Sequence, residues 1–209
     1  MTTTVLVVRH GQTYGNIEGR FCGHSETELT PLGVAQARAV GRRLSDIAAD
    51  GVFTSDLSRA ADTARHALEG RNGLAPVLDP RLREMHYGEW EARPGKEIGE
   101  QHPDLLREFF QCKVPAPGGE TLEQLRARTT AAVRDAVDAH KGGTVLVFSH
   151  GNAIMAMIAE FLRLPIDQTW SFAVDNTSIT RMSFSKSGRF TLLGFNDANH
   201  THGLSEANA

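Results

Sequence analysis

Two short apolar segments constrain the fold most: TVLVVR at residues 4–9 and TVLVFS at residues 144–149 each run directly into a His-Gly pair. Such continuous apolar runs are typical of strands buried on both faces of a parallel sheet. Ligands of open α/β sheets gather at the carboxyl ends of such strands. If the two strands are parallel neighbours, His10 and His150 meet at one edge, each followed by a glycine that lets a ligand approach the backbone.

Helical patterns alternate with strand patterns along the rest of the chain. Further strands are predicted at residues 51–55 and 75–79, and a closing hairpin at 178–184 and 189–195. A helix is predicted over residues 30–47, with Thr30 as N-cap and Pro31 as its first residue, and a second over residues 56–70, ended by Gly70. A third helix is predicted to begin at the capping box of Thr121 and Gln124, and a fourth covers residues 152–164. This alternation predicts an α/β fold, a three-layer sandwich with a mostly parallel central sheet and helices on both faces.

The domain organisation is predicted to be simple. The 209 residues are few enough for a single domain over residues 1–209. Proline and glycine interrupt short helical pieces from about residue 85 to 120, and this segment is expected to be an excursion over the active site. Residues from about 196 to 209 are polar and are expected to form a frayed tail.

Composition and charge exclude several classes of partner. The 22 basic and 25 acidic residues are scattered, so no basic stripe indicates nucleic acid and no polybasic run indicates a membrane surface. No segment approaches the roughly 20 apolar residues that span a bilayer, and no signal peptide is evident, so a cytoplasmic location is expected. Cys22 and Cys112 are expected to be free thiols. The expected partner is a small molecule.

The two histidines allow more than one chemistry. Nine histidines are present, but none of the helical metal-binding spacings occurs, and Arg9 beside His10 repels a cation, so no metal and no cofactor are expected. The motifs of serine hydrolases, P-loops and dinucleotide-binding folds are missing. An arginine next to a reactive histidine favours an anionic group, above all phosphate, and a neutral imidazole can attack phosphorus.

Six separated motifs carry a resemblance to a known family. They are VVRHGQTYGN, ELTPLGVAQA, TSDLSRAADTA, LREMHYGEWE, PGGET and VFSHGN, in this order along nearly the whole chain. The sequence resembles the histidine phosphatase superfamily, the phosphoglycerate-mutase-like proteins, and its phosphatase branch in particular.

The resemblance implies three catalytic residues. His10 would attack phosphorus and become a phosphohistidine, and His150 would hydrogen-bond the transferring group. Glu84 would protonate the departing alcohol and then activate the water that hydrolyses the phosphohistidine. Since His10 must be neutral and Glu84 protonated, an acidic-to-neutral pH optimum is expected.

The resemblance also implies phosphate-binding groups. These are Arg9, Arg59, Asn16 and Gly151, the last at a helix N-terminus that favours an anion. Gln12, Thr13 and His24 are possible substrate contacts, whereas Tyr14 and His86 could equally be exposed loop residues.

Within the superfamily, the two main alternatives are a mutase and a phosphatase. A mutase must exclude water from its phosphohistidine, and this chain has only a proline-rich segment after Glu84 to cover the pocket. The leading hypothesis is therefore a metal-independent phosphomonoesterase acting on a small phosphorylated metabolite. A phosphoglycerate mutase is the alternative, and a non-catalytic phospho-ligand-binding protein comes third. A homodimer paired through the edge hairpin is possible.

Overall fold

A computed structural model describes residues 2–205 and contains one six-stranded sheet. The strands are β1 (Thr2–Arg9), β2 (Gly51–Thr54), β3 (Val77–Leu78), β4 (Thr144–Ser149), β5 (Ile179–Ser185) and β6 (Phe190–Asp197). Their order across the sheet is β3-β2-β4-β1-β5-β6. The first four of these run parallel, while β5 is antiparallel to both β1 and β6. The mostly parallel sheet and the closing hairpin are confirmed.

Helices cover both faces of the sheet. They are α1 (Tyr14–Ile17), α2 (Pro31–Arg43), α3 (Ser58–Ala67), α4 (Gly95–Gln101), α5 (Pro103–Phe110), α6 (Leu122–Ala139) and α7 (Gly151–Phe161). Side chains of β1 alternate between two cores: Leu6 and Val8 pack with α2 and α3, whereas Val5 and Val7 pack with α6 and α7. This alternation follows from the two-residue period of a strand and confirms the three-layer sandwich.

Local signals begin the helices where the sequence predicts. The Thr30 hydroxyl accepts a hydrogen bond from Gly33 N at 3.0 Å, with Pro31 as the first helical residue of α2. Thr121 and Gln124 form the reciprocal capping box that begins α6. These caps satisfy backbone N–H groups that have no partner inside the helix.

The register of β1 and β4 brings the two His-Gly pairs together. Thr4 pairs with Thr144, and the ladder continues without a break to Arg9 and Ser149. Because the two strands are parallel and end at equivalent positions, His10 and His150 both emerge at the carboxyl edge of the sheet.

The segment at residues 85–120 builds a third apolar core beside the sheet. Trp90, Ile98 and Phe109 are buried there against residues of α6 and α7. Phe21, from the loop after α1, joins this core and makes edge-on ring contacts with Trp90 and Phe109, at centroid distances of 5.6 and 6.1 Å. The segment therefore packs against the helical layer, and the expected excursion over the active site stays a prediction.

The expectation of a frayed tail from residue 196 is wrong over the described part. The strand β6 continues to Asp197, whose carboxylate lies 3.7 Å from Arg43, and a 3-10 turn follows at Asn199–Thr201. The polar side chains that suggested disorder cap this turn, since Asp197 accepts hydrogen bonds from the backbone and side chain of Asn199. Residues 206–209 of the predicted tail lie outside the described residues.

No helix within residues 2–205 is long and apolar enough to span a membrane. The predicted homodimer through the edge hairpin stays a prediction.

Candidate active site

A cleft of about 260 Å³ opens at the carboxyl edge of the sheet. Its lining comes from the end of β1, from α1, α3 and α7, from two loops at residues 19–23 and 84–87, and from Val174. The lining residues are Arg9, His10, Thr13, Asn16, Gly19, Arg20, Phe21, Cys22, Gly23, Arg59, Glu84, Tyr87, Gly151, Asn152, Met155 and Val174.

Four basic side chains meet at the inner end of the cleft, and we call Arg9, His10, Arg59 and His150 the floor. The rings of His10 and His150 lie 5.1 Å apart between centroids. His10 faces the cleft, whereas His150 is fully buried behind it and is not part of the lining. The pairing expected from the sequence is therefore present, but only one of the two imidazoles is a surface of the cleft.

Hydrogen bonding fixes the tautomer of His10. Its Nδ1 lies 2.7 Å from the carbonyl oxygen of Gly11, and since a carbonyl can only accept, Nδ1 carries the proton. The lone pair of a neutral His10 is therefore on Nε2. Thr63 accepts from Gly11 N at 3.0 Å, and Asn176 donates to the carbonyl of His10 at 3.0 Å, so the backbone around the imidazole is also held.

The two guanidinium groups are held by backbone carbonyls. Arg9 Nη1 donates to Val174 O at 2.6 Å, and Arg59 donates to Ser25 O at 3.1 Å and to Gly23 O at 2.7 Å. Burial lowers the pKa of both arginines from the usual value, an effect that Glu84 opposes. A guanidinium stays charged in a protein all the same. The floor therefore holds two positive charges.

The same charges keep the imidazoles neutral. Burial lowers the pKa of His10 well below the usual histidine value, and Arg59 and Arg9 lower it further. Burial likewise lowers the pKa of His150 well below its usual range, and Arg59, His10 and Arg9 lower it further. A neutral His10 with its lone pair on Nε2 is a competent nucleophile.

Two buried nitrogen atoms of the floor have no hydrogen-bond partner among residues 2–205. They are Arg9 Nε and His150 Nδ1. The other ring nitrogen of His150, Nε2, lies 2.8 Å from the hydroxyl of Ser55, which itself accepts from Leu57 N at 3.2 Å. Buried polar groups are rarely left unsatisfied, so this end of the cleft has the chemistry to accept an anion with several acceptor oxygens.

Glu84 lies on irregular backbone opposite the floor. Its carboxylate accepts hydrogen bonds from Met85 N at 2.8 Å and, at the first turn of α7, from Asn152 N at 3.3 Å and Ala153 N at 3.2 Å. Asn152 also donates its side-chain amide to the hydroxyl of Tyr87. Burial raises the pKa of Tyr87 well above its usual value, so its phenol stays protonated.

The other predicted phosphate-binding residues, Asn16 and Gly151, line the cleft, as does Thr13, a predicted substrate contact. Thr13 and Asn16 cap α1 reciprocally, and Asn16 Oδ1 also accepts from Asn176 Nδ2 at 3.3 Å. Gly151 begins α7 beside Arg9.

The two motif glycines serve different purposes. A Cβ on Gly11 would lie 2.4 Å from the carbonyl oxygen of Gly33, so this glycine allows α2 to approach. A Cβ on Gly151 would lie 3.5 Å from Arg9 Nε, an ordinary contact. Gly151 lines the cleft and Gly11 does not, and the expectation that both glycines admit a ligand to the backbone stays a prediction.

Two predicted substrate contacts lie outside the cleft lining. The side-chain oxygen of Gln12 accepts from the Thr30 hydroxyl at 2.8 Å, because this polar loop packs on the N-terminus of α2. His24 Nε2 donates to the carbonyl oxygen of Glu84 at 2.9 Å, and the His24 ring lies 5.0 Å from that of His86. Tyr14 is 48% exposed and does not line the cleft.

Sequence reasoning missed most of the outer part of the cleft. We call the loops at residues 19–24 and 84–87 the wall. Phe21, Cys22 and Tyr87 in these loops have no pattern of their own, and only the position of Asn152 directly after the His-Gly pair of β4 could have drawn attention to it.

No group of three or more histidine, cysteine, aspartate or glutamate side chains within residues 2–205 is arranged to hold a metal ion.

Comparison with known proteins agrees with this geometry. A model of the histidine phosphatase superfamily (branch 1) matches residues 5–198. The chain belongs to this superfamily. It is an enzyme of the histidine phosphatase type, and the family resemblance of its motifs is confirmed.

Relatives of this histidine phosphatase carry both phosphatase and mutase names. A putative phosphoserine phosphatase 2 of Hydrogenobacter thermophilus is 30% identical over 96% of this chain and 98% of its own length. A probable phosphoglycerate mutase GpmB of Enterobacter sp. is 32% identical over 88% of this chain and 86% of its own. Among solved structures, Bacillus stearothermophilus YhfR superposes with a TM-score of 0.90 at 33% identity, covering 95% and 98% of the two chains.

Proposed function

We propose that this histidine phosphatase hydrolyses phosphomonoesters of small metabolites through a phosphohistidine formed at Nε2 of His10. One observation carries the proposal. The Gly11 carbonyl holds the proton of a buried, neutral His10 on Nδ1, so that the lone pair of Nε2 is free in a cleft that also contains Arg9 and Arg59.

In the first step, Nε2 attacks phosphorus, and the bond between phosphorus and the ester oxygen breaks. Negative charge on the transferring phosphoryl oxygens is stabilised by the two guanidinium groups, which is the main requirement of phosphoryl transfer. The unpartnered donors Arg9 Nε and His150 Nδ1 support this assignment, because a phosphoryl group supplies the acceptors that they lack. Asn16 and the N-terminus of α7 at Gly151 contribute neutral donors.

The hydrogen bond to Ser55 supports a donor role for His150. The Ser55 hydroxyl accepts from Leu57 N and can donate its own proton to His150 Nε2. In this arrangement a neutral His150 carries its proton on Nδ1, the unpartnered atom, and donates it to the phosphoryl group.

Glu84 is the proton carrier of the reaction. In its protonated form, the carboxyl gives its proton to the departing alkoxide. The resulting carboxylate then removes a proton from the water that attacks the phosphohistidine, which releases phosphate and regenerates both His10 and the acid form of Glu84. The position of Glu84 in the cleft lining, across from the floor, supports this role.

Water access favours phosphatase over mutase. Of the segment at residues 85–120, only Tyr87 lines the cleft, and its helices α4 and α5 pack against α6 and α7. A phosphohistidine at His10 is therefore not covered by this segment, and hydrolysis competes well with return of the phosphoryl group to an acceptor.

Trapping the intermediate tests the proposal. Quenching the enzyme in alkaline detergent during turnover of a ³²P-labelled phosphomonoester should give a labelled phosphoenzyme that is stable in alkali and loses its label in acid. His10→Gln should give none and should lose activity by a factor of at least about 10³. Retained turnover in His10→Gln would refute the proposal.

The mutase alternative is tested on the same preparation. Conversion of 3-phosphoglycerate to 2-phosphoglycerate, measured with and without bisphosphoglycerate, should be much slower than release of inorganic phosphate. Isomerisation faster than phosphate release would favour the mutase.

A further inference from the structure

We propose that Arg128 and Glu120 form a positioning pair that holds the backbone carrying Glu84 in its proton-transfer geometry, an inference that rests on the proposed role of Glu84. Neither residue lines the cleft. Arg128 lies on α6, and Glu120 lies just before that helix begins.

The hydrogen bonds of Arg128 account for all five of its N–H donors. Its Nη1 donates to Arg81 O at 2.8 Å and to Arg83 O at 2.7 Å, and its Nη2 donates to Glu84 O at 2.7 Å. Nε and Nη2 also donate to the two carboxylate oxygens of Glu120, at 2.9 and 2.5 Å. One side chain thus holds three carbonyls of a four-residue stretch that ends at Glu84.

Glu120 completes the arrangement on the other side of Glu84. Its carboxylate accepts from His86 N at 2.8 Å, and its own backbone N donates to His86 O at 3.0 Å. The pair therefore holds the backbone both before and after Glu84. Its side chains are 20% and 13% exposed, so solvent screens the ion pair only in part.

This arrangement is needed because the stretch has no regular structure of its own. Residues 84–87 belong to no helix or strand, so no backbone ladder fixes their conformation. Arg128 ties this stretch to a rigid element, the 18-residue helix α6. A catalytic group must be held close to its productive geometry, and a displacement of about 1 Å can reduce the rate by roughly 10².

A proton donor matters in proportion to the basicity of the leaving group. Nitrophenolate leaves without much help, whereas the alkoxide of an alkyl ester must be protonated as it departs. Misplacing Glu84 should therefore reduce kcat/KM for benzyl phosphate far more than for p-nitrophenyl phosphate. A purely structural role would reduce both by the same factor.

The experiment compares these two substrates in Arg128→Lys, which keeps the charge but has only three donors. We expect the ratio of kcat/KM for benzyl phosphate to that for p-nitrophenyl phosphate to fall by about tenfold or more relative to the unmodified enzyme. Glu84→Gln provides the reference and should lower the ratio at least as far.

Arg126→Lys is the matched control. Arg126 lies on the same helix, is 6% exposed, and also holds carbonyls, those of Leu164 and Pro165 at 2.9 and 3.0 Å, but it does not touch residues 81–86. Its variant should lose stability without changing the substrate ratio.

If Arg128→Lys fails to fold, the same ratio is measured in Glu120→Gln. We expect a smaller fall in the ratio for this variant.

The outcomes separate the two proposals. If the substrate ratio falls in Glu84→Gln but is unchanged in Arg128→Lys, the positioning pair is overturned and the proposed function stands. The same holds for Glu120→Gln where that variant is used instead. A ratio unchanged in Glu84→Gln overturns the proton-carrier role itself. An equal fall in Arg126→Lys would also overturn the pair, because the effect would then reflect general loosening of α6.

Discussion

The floor and the wall of the cleft are built in different ways. The histidines of the floor follow directly from β1 and β4, and Arg59 lies on α3, so the main-chain register of the sheet and one helix place them. The wall at residues 19–24 and 84–87 has no such ladder. Hydrogen bonds from distant segments hold it, such as Phe21 N to Arg93 O at 3.0 Å and Ala92 N to Phe21 O at 2.9 Å.

This difference assigns different tasks to the two regions. In the proposed mechanism, the floor carries the positive charge and the nucleophile that the phosphoryl group of any phosphomonoester meets. The wall carries Glu84 and the surfaces proposed to meet the alcohol part of a substrate. A change in the floor should affect all substrates alike, and a change in the wall should depend on the leaving group.

Arg59→Lys should have the largest effect on activity and tests the floor. A lysine keeps a positive charge but cannot hold phosphoryl oxygens and two carbonyls in one plane. We expect kcat/KM to fall by roughly 10²–10³, equally for benzyl and p-nitrophenyl phosphate. A loss that depends on the leaving group would break the proposed division between floor and wall. Thermal unfolding of the variant controls for the loss of its bonds to Gly23 and Ser25.

Gly11→Ala and Gly151→Ala test how tightly the floor is packed. The alanine Cβ at residue 11 would meet the backbone of α2 at 2.4 Å, whereas that at residue 151 has normal space. We expect Gly11→Ala to lower the free energy of unfolding by about 1–3 kcal/mol, measured by denaturant titration. Gly151→Ala is the matched control, with a clearly smaller loss expected. Equal losses would contradict the different purposes assigned to the two glycines.

The pH dependence of the free energy of unfolding tests the buried histidines of the floor, a feature that the wall does not share. The pKa of His10 and that of His150 are well below the usual value because of burial and Arg59. Below about pH 6.5 the unfolded chain takes up protons on both imidazoles while the native protein does not, so the free energy of unfolding falls as pH falls, by up to about 1.4 kcal/mol per pH unit for each.

Denaturant titrations between pH 7 and pH 5 measure this dependence. His150→Gln should flatten the slope by about one proton's contribution. His202→Gln, at an exposed histidine, is the surface control. If His150→Gln left the slope unchanged, the imidazole of His150 would take up its proton over the same pH range in the native and the unfolded protein, and its pKa would not be lowered by burial.

The parts of the molecule that short-range signals determine could be predicted from the sequence. Apolar runs predicted β1 and β4, capping residues predicted the starts of α2 and α6, and two strand-end histidines predicted the edge at which the cleft lies. These signals act within a few residues, or through the strict period of a strand, and a single sequence contains them.

The parts that depend on long-range side-chain bonds could not be predicted. His24 was expected to contact substrate, but it bonds to the Glu84 carbonyl, 60 residues away in sequence. Gln12 was also expected to contact substrate, but its side chain bonds to Thr30 at the N-terminus of α2. The role of Arg128 could not be predicted because an arginine on a helix normally faces solvent. The polar residues from 196 onward suggested disorder because composition does not show which of them hydrogen-bond to one another, as Asp197 and Asn199 do.

The central place of β1 has a consequence for synthesis of the protein. Thr4 pairs with Thr144 and Val5 with Met182, so β1 is synthesised well before β4 and β5, its two neighbours in the sheet. Until β4 has been synthesised, the nascent chain carries an apolar strand with both edges open, a state prone to aggregation. A chain that ended before β4 would lack this partner strand and His150 together, so the central strand pair and the two neighbouring imidazoles can form only in the same late event.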